Sequence, residues 1–291
     1  MKRNNKRIKK NFLKSPLEKT DEKQYRGGNP MKVLSTVIAF LFAASAVPTP
    51  LSAAPEIQWK DCPPAYGPGF DCGALDVPLD YDDPDGQTIA IELVRLPAAN
   101  PQSRLGTIFL NPGGPGGSGV FFVLDVGSSL FSDEVRARFD LIGFDPRGIH
   151  RSEPLQCFPT PWKASSVSTL SWPFPLTREE RLARQKADNQ LARACEQNGG
   201  EILRHMTTVD VARDLDLLRQ AVGDEYLNYA GYSYGSFLGN VYANLFPDRV
   251  RAVFIDAVVD PIAWTTGRGL EAMWLPLFTR LRSDAGAQAT L

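Results

Sequence analysis

The chain has 291 residues, 43% hydrophobic and 22% charged, a globular balance that bounds it to one large α/β core or two modest ones. Its net charge of −1 hides an asymmetry, because residues 1–30 hold ten Lys/Arg against three acids while residues 55–291 hold 21 against 30. A body this acidic is a poor candidate for a nucleic-acid surface, which needs clustered positive charge, and no nucleic-acid partner is expected.

Residues 1–30 read as a basic extension, either an upstream stretch from a misplaced start codon or a solvated, disordered tail. From Met31 the sequence runs MKVLSTVIAFLFAASAVPTPLSAAPE. One lysine, an uncharged apolar run and small residues at 52–54 have the order of a secretory signal peptide, expected to occupy 31–54 and to be cleaved near Ala54. A membrane anchor is the competing reading. The run from Val33 to Val47 is 15 residues, shorter than the ~20 that cross a bilayer, and prolines end it. The expected product is therefore exported, extracellular or periplasmic, with no membrane segment after cleavage.

The body, 55–291, carries Cys62, Cys72, Cys157 and Cys195, and four cysteines allow three connectivities. Cys62 and Cys72 flank the Pro/Gly-rich turn PPAYGPGF, so local closure pairs them and leaves Cys157 with Cys195. No spacing resembles a zinc site, and no metal is expected. Ala74–Tyr81 and Thr88–Leu96 read as strands joined by an Asp/Pro/Gly turn. Thr107–Leu110 is a short strand running into NPGGPGGSG, and Phe139–Phe144 another running into DPRG. The Pro/Ser-rich stretch 154–176 reads as a surface excursion. Thr177 and Glu180 form a capping box that opens a helix to about Cys195. Val211, Leu215, Leu218 and Val222 fall on one stripe of a second helix, which Gly223 stops. Tyr226–Ala230 leads into GYSYG and a helix over Gly235–Leu245, and Ala252–Ile255 leads into DAVVDP. Strands alternating with helices predict a mostly parallel sheet covered on both faces.

Two motifs carry chemistry. A serine hydroxyl attacks well only when it is lifted from the backbone toward a base. A sharp strand-to-helix turn does this and wants glycine two residues either side, so Ser233 in Gly231-Tyr232-Ser233-Tyr234-Gly235 is the candidate nucleophile. The second motif, Asn111 to Gly119, is a glycine-rich loop after an early strand. A tetrahedral intermediate needs two N–H donors. The amides of Tyr234 and Gly114 are the candidates, with Gly113 next in line. A phosphate loop is the rival reading, but the Lys-Ser/Thr of a P-loop and the GxGxxG spacing are both absent.

Together with IQWKDC, DVPLDY, FDPRGIHRS, TTVDVARDLDLLRQAVG and YAGYSYGSFLGNVYANLFPDRV, these loops resemble the α/β-hydrolase superfamily. Within it they resemble the secreted tripeptidyl-aminopeptidase and proline-iminopeptidase-like branch, over about 57–261. The resemblance implies an α/β-hydrolase fold, a serine nucleophile, no cofactor, and a peptide substrate shortened from its amino terminus. An esterase or lipase acting on small esters keeps the same chemistry and remains open, as does a non-catalytic fragment. The family's DPRG loop continues with glycine, where this chain has His150.

The triad in this fold runs Ser, Asp or Glu, then His. No histidine follows Ser233 in the remaining 58 residues; both, His150 and His205, precede it. The expectation is a nucleophile and oxyanion site without triad acid or histidine, the cap and the strands after Ile255 being missing, so that one sheet edge stays uncovered. His150 is a poor candidate base, His205 a solvent or capping residue, and Asp256 a turn-former more than an acid. Asp145 and Arg147 are expected to tie their loop together.

Overall fold

A computed structural model describes residues 54–168 and 175–266. The expected basic extension, all but the last residue of the expected signal segment, and the tail RLRSDAGAQATL lie outside the described residues. Seven strands form one sheet: β1 (Gln58–Lys60), β2 (Asp71–Pro78), β3 (Thr88–Leu96), β4 (Gly106–Asn111), β5 (Phe139–Phe144), β6 (Leu227–Tyr232) and β7 (Val250–Asp256). Their spatial order is β1-β2-β3-β5-β4-β6-β7. The sheet is mixed. The N-terminal pairings β1–β2, β2–β3 and β3–β5 are antiparallel, whereas β5–β4, β4–β6 and β6–β7 are parallel. Among the described residues β7 is an edge, with Phe254 53% and Ile255 38% exposed.

The helices are α1 (Gly119–Val126), α2 (Asp133–Arg138), α3 (Pro161–Ser168), α4 (Arg178–Asn198), α5 (Thr208–Ala221), α6 (Tyr234–Leu245) and α7 (Pro261–Thr265). Successive strand residues face opposite sides, and the two cores follow from that alternation. Leu93, Phe109, Ile142 and Tyr229 point to one face, where Leu215 and Leu218 of α5 and Leu238 and Tyr242 of α6 cover them. Their neighbours Val94, Leu110, Leu141 and Ala230 point to the other, beneath Val120 and Val123 of α1. Each such large apolar side chain contributes about 1.5–3 kcal/mol when fully buried. β4, β5 and β6 thus lie between helical layers and end in the three loops that make the site.

Local signals explain the element starts. Thr177 accepts from the Glu180 amide while the Glu180 carboxylate takes the Thr177 amide, so the expected capping box forms and α4 runs to Asn198. Thr207 and Asp210 do the same for α5. Both expected disulfides are present: Cys62–Cys72 at 2.10 Å and Cys157–Cys195 at 2.04 Å. Among the described residues no helix is long and apolar enough to cross a membrane.

Candidate active site

The chain leaves β6 at Tyr232, turns at Ser233 and enters α6 at Tyr234. Ser233 has φ 54° and ψ −122°, a conformation that a residue with a Cβ adopts only at a cost of about 1–3 kcal/mol. Glycine supplies the room for so tight a turn. A Cβ on Gly231 would overlap the Gly235 carbonyl, and one on Gly235 would lie 2.6 Å from the Asn111 carbonyl oxygen. The turn is pinned from below. The Ser233 amide donates to the Asp256 carbonyl at 3.0 Å. Ser236, fully buried, donates its hydroxyl to the Ser233 carbonyl at 2.6 Å and accepts from the Val259 amide at 2.9 Å. The Ser233 hydroxyl itself makes no hydrogen bond among the described residues and is exposed, at the positive end of the twelve-residue α6.

The glycine-rich loop lies directly against this turn. A Cβ placed on Gly113 would sit 3.0 Å from Ser233 Cβ and 2.8 Å from the Tyr234 nitrogen. Gly113 has φ +93° and Gly114 φ +110°, so this backbone path excludes side chains. Gly113 donates its amide to the buried Asn111 Oδ1 at 2.9 Å. That bond separates the two glycine candidates, because the amides of Gly114 and Tyr234 have no acceptor among the described residues. At the far end of the loop Ser118 caps α1, accepting from the Phe121 amide at 3.0 Å and donating to Asp145 Oδ1 at 2.5 Å. Burial raises the Asp145 carboxyl above the ordinary carboxylate range, opposed by the donors Ser118, Val120 and Arg151 and by nearby His150.

Asp145 and Arg147 both make structural contacts rather than reactive ones, but with different partners and not with each other. The Arg147 partner is Asp214 of α5, met in a two-pronged contact at 2.8 and 2.6 Å with both side chains fully buried. The remaining guanidinium protons go to the carbonyls of Pro78, Leu79 and His205, and Tyr81 donates its hydroxyl to Asp214 Oδ1 at 2.8 Å. Asp214 has its carboxyl pushed up by burial, with Arg147 and Tyr81 pulling it back. The readable signal was Asp214 itself, an acid beside the apolar stripe of Val211, Leu215 and Leu218.

Neither histidine is hydrogen-bonded to Ser233. His150 is exposed at φ 46° and sets its ring edge-to-face against Phe121 at 5.5 Å. His205 has Nδ1 3.9 Å from Asp80 Oδ1, and its carbonyl serves Arg147. Asp256 folds back to accept from the Ala257 amide at 2.6 Å, the contact of a turn-former. Among the described residues the arrangement presents an unpartnered serine hydroxyl at a turn packed against a glycine loop, with the Gly114 and Tyr234 amides also unpartnered.

The comparisons with known proteins agree with this geometry. A family model described as alpha/beta hydrolase fold matches residues 106–290. The chain is 38% identical over 222 residues to a tripeptidyl aminopeptidase of Streptomyces lividans, covering 75% of this chain and 41% of that protein. It is 40% identical over 215 residues to the serine protease Hip1 of Mycobacterium tuberculosis H37Rv, covering 71% and 40%. A carboxylesterase B of the same organism is 35% identical over 218 residues, covering 72% and 41%. The chain therefore spans about two fifths of the length of the relatives it matches.

Proposed function

Because this chain belongs to the α/β-hydrolase family, we propose that Ser233 is the nucleophile of an exported serine hydrolase that releases short peptides from the amino terminus of its substrate. The observation that carries the proposal is Ser233 at positive φ between β6 and α6, packed against the glycine loop at Gly113, with the amides of Tyr234 and Gly114 unpartnered among the described residues. The Ser233 oxygen attacks the scissile carbonyl carbon, and the carbonyl oxygen takes up negative charge. The two amides, with the positive end of α6 behind one of them, stabilise that charge. Collapse expels the leaving group and leaves an acyl-serine, which water then hydrolyses. Neither histidine is in contact with the Ser233 hydroxyl, so its proton passes to solvent water as the oxygen attacks. Among the described residues no general base is in contact with the nucleophile or the oxyanion donors.

Peptidase relatives favour a peptide substrate, while the carboxylesterase relative supports a small ester as the second reading. An activated ester separates the two, because its leaving group departs without protonation. The purified chain is expected to turn over the p-nitrophenyl ester of a tripeptide with a free amino terminus faster than the same ester acetylated at that amine. Equal rates on the two, with faster turnover of p-nitrophenyl butyrate, would transfer the assignment to the esterase.

Export is part of the proposal. Two disulfides in one chain suit an oxidising compartment, and the 31–54 segment has the order of a signal peptide. Intact mass of protein from the culture medium should correspond to a start between Ala53 and Glu56. Retention of the basic residues 1–30 would refute cleavage there.

A further inference from the structure

Among the described residues the buried carboxylates fall into two kinds. Asp140 faces Arg104 at 2.7 Å, Asp214 faces Arg147 at 2.6 Å, and Asp216 faces Arg219 at 2.9 Å. Asp145 is equally buried, at 1% exposure, yet among the described residues no Lys or Arg side chain pairs with it. Its contacts are neutral donors: the Ser118 hydroxyl at 2.5 Å, the Val120 amide at 3.4 Å and the Arg151 amide at 3.5 Å. A carboxylate taken out of water without a counter-charge costs stability, so core packing alone does not explain its place. Its location supplies a reason. Asp145 follows β5 and reaches across to Ser118, the last residue before α1 and the end of the glycine-rich loop.

That loop is held by few hydrogen bonds of its own. Gly113, Gly114 and Gly116 all have positive φ, at +93°, +110° and +95°, and glycine backbone is the most freely rotating in the chain. Asn111 fixes the entry by taking the Gly113 amide, and the Gly117 amide closes on the Gly113 carbonyl at 2.9 Å. Ser118 fixes the exit, and Asp145 fixes Ser118. We propose that Asp145 is a positioning residue for the oxyanion loop, acting through Ser118 to hold the Gly114 amide where the developing negative charge will lie. This rests on the assignment of Ser233 and Gly114 above. Arg147, two residues away, spends its hydrogen bonds on Asp214 of α5 and on the carbonyls of Pro78, Leu79 and His205, none of them in the glycine loop.

The test compares Asp145→Asn, Asp145→Leu, Ser118→Ala and the double variant Ser118→Ala/Asp145→Leu in single-turnover acylation by p-nitrophenyl acetate. The first-order acylation constant is read separately from the half-saturating concentration, so a smaller folded fraction does not mimic a slower reaction. Asparagine keeps an oxygen that accepts from Ser118, and Asp145→Asn is expected to stay within about threefold of the parent. Asp145→Leu and Ser118→Ala should each slow acylation by about 10- to 100-fold at unchanged half-saturation, the scale of a slightly misplaced donor. The double variant should be no slower than the slower single one. Should Asp145→Leu not fold, Ser118→Ala against Asp145→Asn carries the comparison. Additive losses, or an unchanged acylation constant in both single variants, would overturn the proposal. Hydrogen exchange of a peptide covering 112–121 decides it without any reaction. Protection like the parent's is expected in Asp145→Asn and exchange about tenfold faster in Asp145→Leu or Ser118→Ala; equal protection throughout would count against Asp145. A folded parent chain that is never acylated at Ser233 would sink the nucleophile assignment instead, leaving the exchange result to judge Asp145.

Discussion

A fluorophosphonate is expected to label this chain at Ser233 alone and slowly, and Ser233→Ala is expected to remove the labelling completely. The residue is exposed and lifted by its positive φ, so a small electrophile can reach it. Its hydroxyl has no imidazole in hydrogen-bond contact, because His150 packs on Phe121 and His205 lies beside Asp80. Dismantled serine triads lose of order 10⁶ in turnover and keep roughly 10³–10⁴ over water from the oxyanion site and binding. Activated esters should therefore react measurably and peptide amides negligibly. The measurement is labelling rate against time by intact mass, with the adduct mapped to its peptide. Rapid cleavage of a tripeptide amide by the purified chain would contradict this, and His150→Ala would then be the variant to make.

The second large effect is on folding. Arg147→Met is expected to destabilise the protein by about 3–5 kcal/mol, because it leaves the Asp214 carboxylate buried without its cation. The loss also frees the carbonyls of Pro78, Leu79 and His205, which tie β2 and the start of α5 to the loop after β5. Replacing both partners, Arg147→Met with Asp214→Leu, removes the stranded charge and should recover a large part of that loss. Urea unfolding followed by tryptophan fluorescence reads both. An unchanged midpoint in Arg147→Met would show that the pair holds nothing together.

What could be read from the sequence was what is encoded locally. Phe139–Phe144 is a run of strand-forming residues stopped by Asp-Pro, and its bounds hold to the residue. Thr177 and Glu180 spell their cap, and the stripe from Val211 to Leu218 is buried along α5. The glycines around Ser233 announce a turn in which neither tolerates a Cβ. Three features escaped for physical reasons. β1 is three exposed residues, too short and too wet for an alternating pattern to show. α1 is Gly-Val-Phe-Phe-Val-Leu-Asp-Val, apolar nearly all round, so its period gives no face. α3 hides in a Pro/Ser-rich stretch, although Pro161 at its first position suits a helix start. The Arg147–Asp214 pair spans 67 residues, and no local pattern names a partner at that distance. The same holds for the halves of the sheet, since strand direction is settled by which connections can cross rather than by the strands' own residues.

The position of β4 between β5 and β6 has a consequence for synthesis. One edge of β4 can be paired as soon as Phe139–Phe144 has emerged, but the other waits for Leu227–Tyr232, and the Asn228 side chain that seals Thr107 lies 121 residues downstream. At about 5–20 residues per second on the ribosome, that interval is roughly 6–24 s. Throughout it the nascent chain shows an open, apolar strand edge, a ready template for wrong partners. The open stretch ends at Asn111, the residue that later steadies the glycine loop. Holding factors that bind extended apolar segments would therefore meet the middle of the sheet before the serine turn has been translated.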